Sequence, residues 1–195
     1  MIKTTNMLLE ELQNYSDPYG KIRRMCQGGQ LFEITRGLYE TEKKINGYVL
    51  APVIYGPSYL SFNYALSYHG LIPEAVYEYT SATCQKGKKK QYTNIFGTYS
   101  YRDIPAKAFP YETILLSENG YHYMMAGWEK ALCDKLYELK PVKNQNELEA
   151  LLFEDMRVYE DEFMRLDPAI ISELSECYGS NNVKYLSAYL ARRQR

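Results

Sequence analysis

Residues 4–40 read TTNMLLEELQNYSDPYGKIRRMCQGGQLFEITRGLYE, and their pattern predicts the architecture of the first part of the chain. A threonine at its start can cap a first helix, because a threonine hydroxyl accepts a hydrogen bond from a free backbone N–H of the first turn. Asp17 and Pro18 are typical of the start of a second helix, which Gly28 and Gly29 end after Gln27. The apolar positions of the first helix recur at three- and four-residue steps: Met7, Leu8, Leu12 and Tyr15.

The periodicity then changes from helical to alternating. Residues 31–36 alternate between two faces, and Gly37 interrupts the run before Leu38 and Tyr39, which predicts a small hairpin. Two short helices followed by a hairpin predict a minimal winged helix-turn-helix. The polar segment 40–46 is the best linker, so we expect a DNA-binding domain at 1–46 and a second domain at 47–195.

The second part predicts a larger mixed α/β domain with a helical C-terminal tail, and the whole chain is therefore assigned to the α+β class. The expected helices cover 58–70, 128–139 and most of 147–195, with breaks near Asp167-Pro168 and near 179–181. The strand-like stretches rich in β-branched and aromatic residues are 76–84, 91–104 and 114–125.

Composition narrows the classes of function. The 195 residues carry a formal net charge of −1, so any binding to nucleic acid has to come from a local patch. The four cysteines form no CxxC pair, which predicts free buried thiols rather than a zinc site or a disulfide scaffold. No secretory segment and no apolar run of membrane-spanning length is visible, so we expect a cytoplasmic protein without a membrane partner.

A local basic patch is present on the second predicted helix and the hairpin. Lys21, Arg23 and Arg24 lie on the helix and Arg36 at the hairpin tip, which is where a major-groove helix and a phosphate-contacting wing carry cations. These four residues are the predicted DNA-binding residues. The alternative is that they are the solvated side chains of an ordinary short helix.

A second basic cluster, Lys86, Lys88, Lys89 and Lys90, surrounds Gly87 between two predicted strands. The pattern favours a charged hairpin tip, which also protects a sheet edge from aggregation. The functional alternative is a contact with an acidic partner surface or with a nucleic-acid backbone.

Catalytic patterns are poor. His69 and His122 are the only histidines, and neither stands at metal-ligand or catalytic-triad spacing from a cysteine or carboxylate. Cys133 and Asp134 fall on a predicted helix with apolar neighbours, which indicates burial. We expect no enzyme, no metal and no cofactor, and an enzyme built around either histidine is the competing hypothesis.

Four phrases in this order resemble the AbiEi antitoxins of type IV toxin–antitoxin systems. They are GGQLFEITRGLYE (28–40), YLSFNYALSYHGLIPE (59–74), FGTYSYRDIP (96–105) and MAGWEKALCDKLYELKP (125–141). The phrases also have structural interpretations, since 59–74 can pack a helix on a sheet and Glu129 and Lys130 can be surface charges beside a core stripe.

The resemblance implies a repressor that binds operator DNA at inverted repeats through its N-terminal winged helix-turn-helix, with Lys21, Arg23, Arg24 and Arg36 at the operator-binding positions. It also implies a second domain that counters a nucleotidyltransferase-like toxin, with or without direct contact. A second hypothesis remains open: a protein-interaction module that opposes a partner protein without reading DNA.

Overall fold

The computed structural model describes residues 1–193 and has a mixed α/β architecture with two sheets. The first 40 residues form a three-stranded sheet and two helices. In chain order these elements are β1 (Ile2–Thr4), α1 (Thr5–Glu11), α2 (Pro18–Gln27), β2 (Phe32–Thr35) and β3 (Leu38–Glu40).

The capping residues act as the sequence predicts. The Thr4 hydroxyl accepts the Met7 N–H, and the Asp17 carboxylate accepts the Gly20 N–H at 2.8 Å. Helix α2 has the predicted bounds, whereas α1 ends at Glu11 and leaves Tyr15 about half exposed. The first helix is therefore one turn shorter than its apolar pattern suggested.

The larger sheet has six strands in the order β6-β7-β5-β4-β9-β8. The pairs β5–β7 and β4–β9 are parallel and the other neighbours are antiparallel. The strands are β4 (Tyr59–Leu60), β5 (Glu78–Thr83), β6 (Lys90–Asn94), β7 (Gly97–Asp103), β8 (Thr113–Glu118) and β9 (Tyr121–Ala126).

Helical elements cover both faces of this sheet. A 3-10 turn (Gly47–Leu50) and α3 (Ala51–Ile54) lie on one face, where the Tyr99 and Tyr101 hydroxyls donate to backbone carbonyls. Helices α4 (Phe62–Tyr68) and α5 (Trp128–Glu138) lie on the other face. The tail consists of α6 (Gln145–Ala150), a π-helical turn (Leu151–Asp155), α7 (Glu160–Phe163), α8 (Pro168–Tyr178) and α9 (Asn181–Arg193).

The predicted helix over 58–70 is wrong in its first turn. Tyr59 and Leu60 form a short strand in the middle of the sheet, and the helix begins only at Phe62. Both strand residues are at most 3% exposed. A central strand covered on both faces buries consecutive residues, and the helical pattern could not distinguish this arrangement from one apolar face.

Two strand-like stretches are each a hairpin rather than one strand. The stretch 91–104 divides into β6 and β7, and 114–125 divides into β8 and β9. The second turn is Asn119-Gly120, with φ of 49° and 80°. Both residues of a type I′ turn need positive φ, and Asn-Gly is the sequence that adopts it most readily.

Two apolar clusters form the core. A small one contains Leu8, Leu12, Ile22 and Leu31 and holds α1 and α2 together. A large one spans the six-stranded sheet and its helices, and it also includes Ile34 from β2. The N-terminal elements therefore have a core of their own and dock on the larger part through β2.

All four cysteines are free thiols, but only Cys133 is buried. The expectation of burial is wrong for Cys26, Cys84 and Cys177, which are half-buried. Within residues 1–193, no helix is both long and apolar enough to cross a bilayer.

Candidate nucleic-acid interface

Helix α2 buries one side and exposes the other. Ile22 is 5% exposed and packs against the small apolar cluster, with Met25 and Cys26 half-buried beside it. At 100° per residue, Arg23, Arg24 and Gln27 fall on the opposite side. All three are exposed, as the predicted DNA-binding role of the two arginines requires.

The exposed side carries a ridge of side chains at four-residue spacing: Tyr19, Arg23 and Gln27. Residues four apart are neighbours along one face of a helix. Tyr19 is 66% exposed although it is aromatic. Among residues 1–193, no carboxylate forms an ion pair with Arg23 or Arg24.

Arg36 occupies the turn between β2 and β3, as the sequence predicted. The turn is anchored to the start of α1, because the Thr5 N–H donates to the Gly37 carbonyl at 2.9 Å. Gly37 has φ of 80°, a conformation that glycine adopts without strain. Arg36 is exposed and no ion pair engages it within the described chain.

The turn and the helix meet at a groove of about 620 Å³. Arg23 and Arg36 line it together, with Tyr19 beside them. The structure therefore brings two of the four predicted DNA-binding residues into one groove. We call this groove, with the exposed side of α2, the arginine face.

Lys21 does not join the groove. Its ammonium lies 5.2 Å from the centre of the Tyr15 ring, which is a cation–π distance, and its side chain is half-buried. On the helix it points about 160° away from Arg23. Lys21 therefore borders the arginine face at most.

Acidic groups moderate the charge of the arginine face. Glu33 lines the same groove as Arg23 and Arg36. Burial raises the pKa of the Cys26 thiol at the groove wall, and the Glu33 charge raises it further, so the thiol stays protonated at neutral pH. On α1, Glu11 is already paired with Lys3 at 2.6 Å.

The larger part of the chain contacts the three-stranded sheet and leaves the arginine face open. Asn94 donates to the Ile34 carbonyl at 2.9 Å, and the Tyr121 hydroxyl donates to Glu40 at 2.6 Å. Glu40 is fully buried. Burial acts to raise its pKa, but hydrogen bonds from the N-terminal ammonium and Tyr121 outweigh burial and hold the pKa below its usual range.

The basic cluster Lys86, Lys88, Lys89 and Lys90 is not a hairpin tip. Strands β5 and β6 are not neighbours, because β7 lies between them, so the segment 84–89 crosses the end of β7 to reach the sheet edge. A linear sequence shows that two strands follow each other, but not that a third inserts between them.

The two histidines lie apart. His69 Nε2 is 2.8 Å from the Ala126 carbonyl, and burial lowers the pKa of the ring. His122 is exposed on β9, with Nδ1 2.7 Å from the Ser117 hydroxyl. No cluster of three His, Cys, Asp or Glu side chains within residues 1–193 is arranged to hold a metal ion.

The predicted burial of Cys133 and Asp134 is confirmed, but sequence reasoning missed the buried polar cluster that Asp134 forms with Lys130 in α5. Lys130 and Asp134 are both fully buried, so the interpretation of Lys130 as a surface charge is wrong. The Lys130 ammonium donates to the Ala108 carbonyl at 2.7 Å and to the Tyr178 hydroxyl at 2.6 Å, and lies 3.5 Å from Asp134. Opposite charges four residues apart in an apolar helix were the available signal.

Tyr19 and Gln27 were also missed. Their signal was the four-residue spacing around Arg23 on the polar side of the helix. Glutamine and arginine both offer paired hydrogen-bonding groups that match base edges in the major groove. The ridge therefore has the side-chain chemistry that direct base reading uses.

Comparisons with known proteins do not name a family. The chain matches no family model, and a search of the curated proteins finds no match. Support for a function therefore comes from the motif resemblance and from the geometry of the residues themselves.

Proposed function

We propose that the chain is a DNA-binding transcriptional autorepressor whose N-terminal elements act as a winged helix-turn-helix. The observation that carries the proposal is the arginine face, where Arg23, Arg24 and Arg36 are exposed and form no ion pair with any other residue in 1–193. Exposed unpaired guanidinium groups suit phosphate and guanine recognition.

The order of elements supports this assignment. Two helices precede an antiparallel hairpin, and the second strand of that hairpin pairs with β1 to complete the small sheet. In the proposed complex α2 lies in the major groove, with Arg23 and Gln27 reading base edges. Arg36 contacts a phosphate from the adjacent turn, which fixes the orientation of the helix.

The moderate charge of the arginine face favours binding as two copies. Glu33 stands among the arginines, so a single copy neutralises few phosphates. Two copies on inverted repeats double the contacts, and operator symmetry then mirrors protein symmetry.

Fluorescence anisotropy with the duplex from the chain's own upstream region tests DNA binding. Replacing Arg23 and Arg24 with alanine removes two cationic contacts, and each such contact contributes about 1–3 kcal/mol. We expect the affinity to fall by at least about tenfold, and the slope of log K against log salt to become shallower by about 1 for each removed arginine that contacts a phosphate.

Lys184→Ala with Arg192→Ala is the matched control, since it removes two exposed positive charges from α9 instead. Equal loss in both variants would reveal only a general charge effect. If the Arg23/Arg24 variant binds DNA as tightly as the wild-type chain, α2 is not the helix that contacts DNA.

We further propose that the chain is the antitoxin of a type IV toxin–antitoxin system. The four AbiEi-like phrases support this, and three of them supply elements of the larger part: 59–74, 96–105 and 125–141. The chain should restore growth when it is co-expressed with an adjacent nucleotidyltransferase-like gene. The Arg23/Arg24 variant should still do so, whereas failure of the wild-type chain would reject the antitoxin role.

Glu33 in the groove favours the second candidate, a protein-interaction module that opposes a partner without reading DNA. The salt titration separates the two functions, because a module without phosphate contacts gives no salt slope. Growth rescue together with absent DNA binding would select the module.

A further inference from the structure

A cleft on the larger part of the chain remains outside the proposed function. It lies between the segment 84–89, the end of β7 and the α5 and α9 termini, and its volume is about 650 Å³. Sites for small molecules commonly have volumes of a few hundred to about 1,000 Å³. Its position is separate from the arginine face, with which it shares no lining residue.

The segment that supplies the lysines is held in place by β7. The Asp103 carboxylate accepts the backbone N–H groups of Lys86 and Gly87 at 2.7 Å each, and the Thr83 hydroxyl at the same distance. The Lys86 ammonium donates to the Gly56 carbonyl and lies 5.1 Å from the centre of the Tyr55 ring. A crossover anchored at both its backbone and its first lysine presents Lys88 and Lys89 to the cleft in a defined place.

Cations in the cleft outnumber the acidic groups that could neutralise them. Glu138 is the shared partner of Arg102, Lys89 and Lys135 at 2.5, 3.6 and 3.7 Å. Within residues 1–193, Lys88 has no ion pair at all. Burial lowers the pKa of the neighbouring Lys135 and the charge of Glu138 raises it, while the charges of Arg102 and Lys89 lower it further.

Aromatic and apolar side chains also line the cleft. Tyr137 lines it with 39% of its side chain exposed, and Leu139 and Pro141 continue the wall. A planar base can stack on an exposed aromatic ring, and such stacking contributes about 1–3 kcal/mol per base. Phosphate oxygens suit the lysine and arginine side.

We propose that this cleft binds a nucleoside phosphate, with its phosphates against Lys88, Lys89 and Arg102 and its base on Tyr137. Two kinds of groups that line one cleft favour a ligand with an anionic end and a planar end. A bare polyanion would leave the aromatic side unused, and an apolar ligand would leave the cations unneutralised.

Isothermal titration of the full-length chain with ATP tests the proposal, at about 0.15 M salt so that weak surface attraction is screened. Lys88→Ala with Lys89→Ala should weaken ATP binding at least tenfold. The matched control, Lys43→Ala with Lys44→Ala, removes two adjacent exposed lysines outside the cleft and should leave ATP binding unchanged. The proposal would be overturned if the wild-type chain gave no heat of binding with about 1 mM ATP. An equal loss of ATP affinity in the two lysine variants would also overturn it.

Glu138→Gln gives a result that misfolding cannot imitate. The substitution removes the carboxylate that now holds Arg102 and Lys89, so these cations become free to meet phosphate. ATP binding should therefore tighten at least threefold. Unchanged or weaker binding would contradict the placement of the phosphates.

Tyr137→Leu and inorganic tripolyphosphate separate a nucleoside phosphate from other anions. Tyr137→Leu should weaken ATP binding severalfold and leave tripolyphosphate binding unchanged. Equal affinities for ATP and tripolyphosphate, both insensitive to Tyr137→Leu, would overturn the nucleoside assignment. A short DNA duplex that displaces ATP and loses affinity in the Lys88/Lys89 variant would instead identify a nucleic-acid backbone site.

Discussion

Lys130→Met probes the buried polar cluster of α5 and tests whether this charge pair stabilises the larger part of the chain. Methionine has nearly the volume of lysine, so the change removes the ammonium without leaving a large cavity. The ammonium's hydrogen bonds to the Ala108 carbonyl and the Tyr178 hydroxyl disappear, together with its charge 3.5 Å from Asp134. Burial lowers the pKa of Lys130, whereas the charge of Asp134 raises it, so the ammonium charge depends on its partner.

The structure sets the size of the effect. Removing one partner of a buried ion pair costs about 3–5 kcal/mol, because the other charge stays desolvated. Asp134 keeps hydrogen bonds from the hydroxyls of Tyr59, Ser61 and Tyr178, which favours the lower end, about 3 kcal/mol. For a chain of this length that loss lowers the melting temperature by about 6–12 °C.

Urea unfolding followed by circular dichroism measures this loss. The control Lys184→Met makes the same chemical change at an exposed position on α9 and should cost less than about 0.5 kcal/mol. The double variant Lys130→Met with Asp134→Asn should lose less free energy of unfolding than the two single variants lose together, because neither buried charge then remains unpaired. A cost below about 1 kcal/mol for Lys130→Met would refute the reasoning that the pair is mutually dependent.

Three further predictions concern stability. Because the pKa of His69 is lowered in the folded chain, the unfolded chain binds a proton more readily, and the free energy of unfolding should fall as the pH drops through about 6.5. His69→Gln can still donate to the Ala126 carbonyl. Urea titrations at pH 5.5 and 7.5 should therefore show a smaller pH dependence for this variant. Because the pKa of Glu40 is lower in the folded chain than in the unfolded chain, its ionised carboxylate stabilises the fold above pH about 4.3, and this stabilisation is lost as the pH falls further. Tyr121→Phe should remove part of it, about 1–2 kcal/mol at pH 7. The same loss of stability at pH 3 would contradict the link between Glu40 ionisation and folding. Gly120→Val should cost about 1–3 kcal/mol in chemical denaturation because φ there is 80°, and a neutral result would contradict the type I′ turn.

Local signals in the sequence located much of the arginine face. Asp17, Pro18 and the glycine pair after Gln27 act within a few residues, so the bounds of α2 could be predicted without any tertiary information. The position of Arg36 in the turn followed in the same way from Gly37. The convergence of Arg23 and Arg36 on one groove could not be predicted, because it depends on how β2 and β3 pack beside α2.

The lysine-lined cleft shows the opposite case. Its lysines were recognised as a cluster, but the strand order places β7 between β5 and β6 and turns the expected hairpin tip into an anchored crossover. Arg102 and Tyr137 join the lysines from positions up to about fifty residues away in the chain. No spacing rule connects such positions, since the strand order and the packing of α5 bring them together.

Elements with local causes could be predicted from the sequence: the caps and bounds of α2 and the exposed arginines of the N-terminal part. The Asn119-Gly120 turn has an equally local cause, although the stretch 114–125 was predicted as one strand. Three features depend on the tertiary fold: Lys130 is buried with Asp134, Tyr59 and Leu60 form a central strand, and Lys88 and Lys89 line one cleft with Tyr137. The reason is physical. Helix caps and turns depend on backbone groups a few residues apart, whereas burial and strand order depend on which distant segments exclude water together.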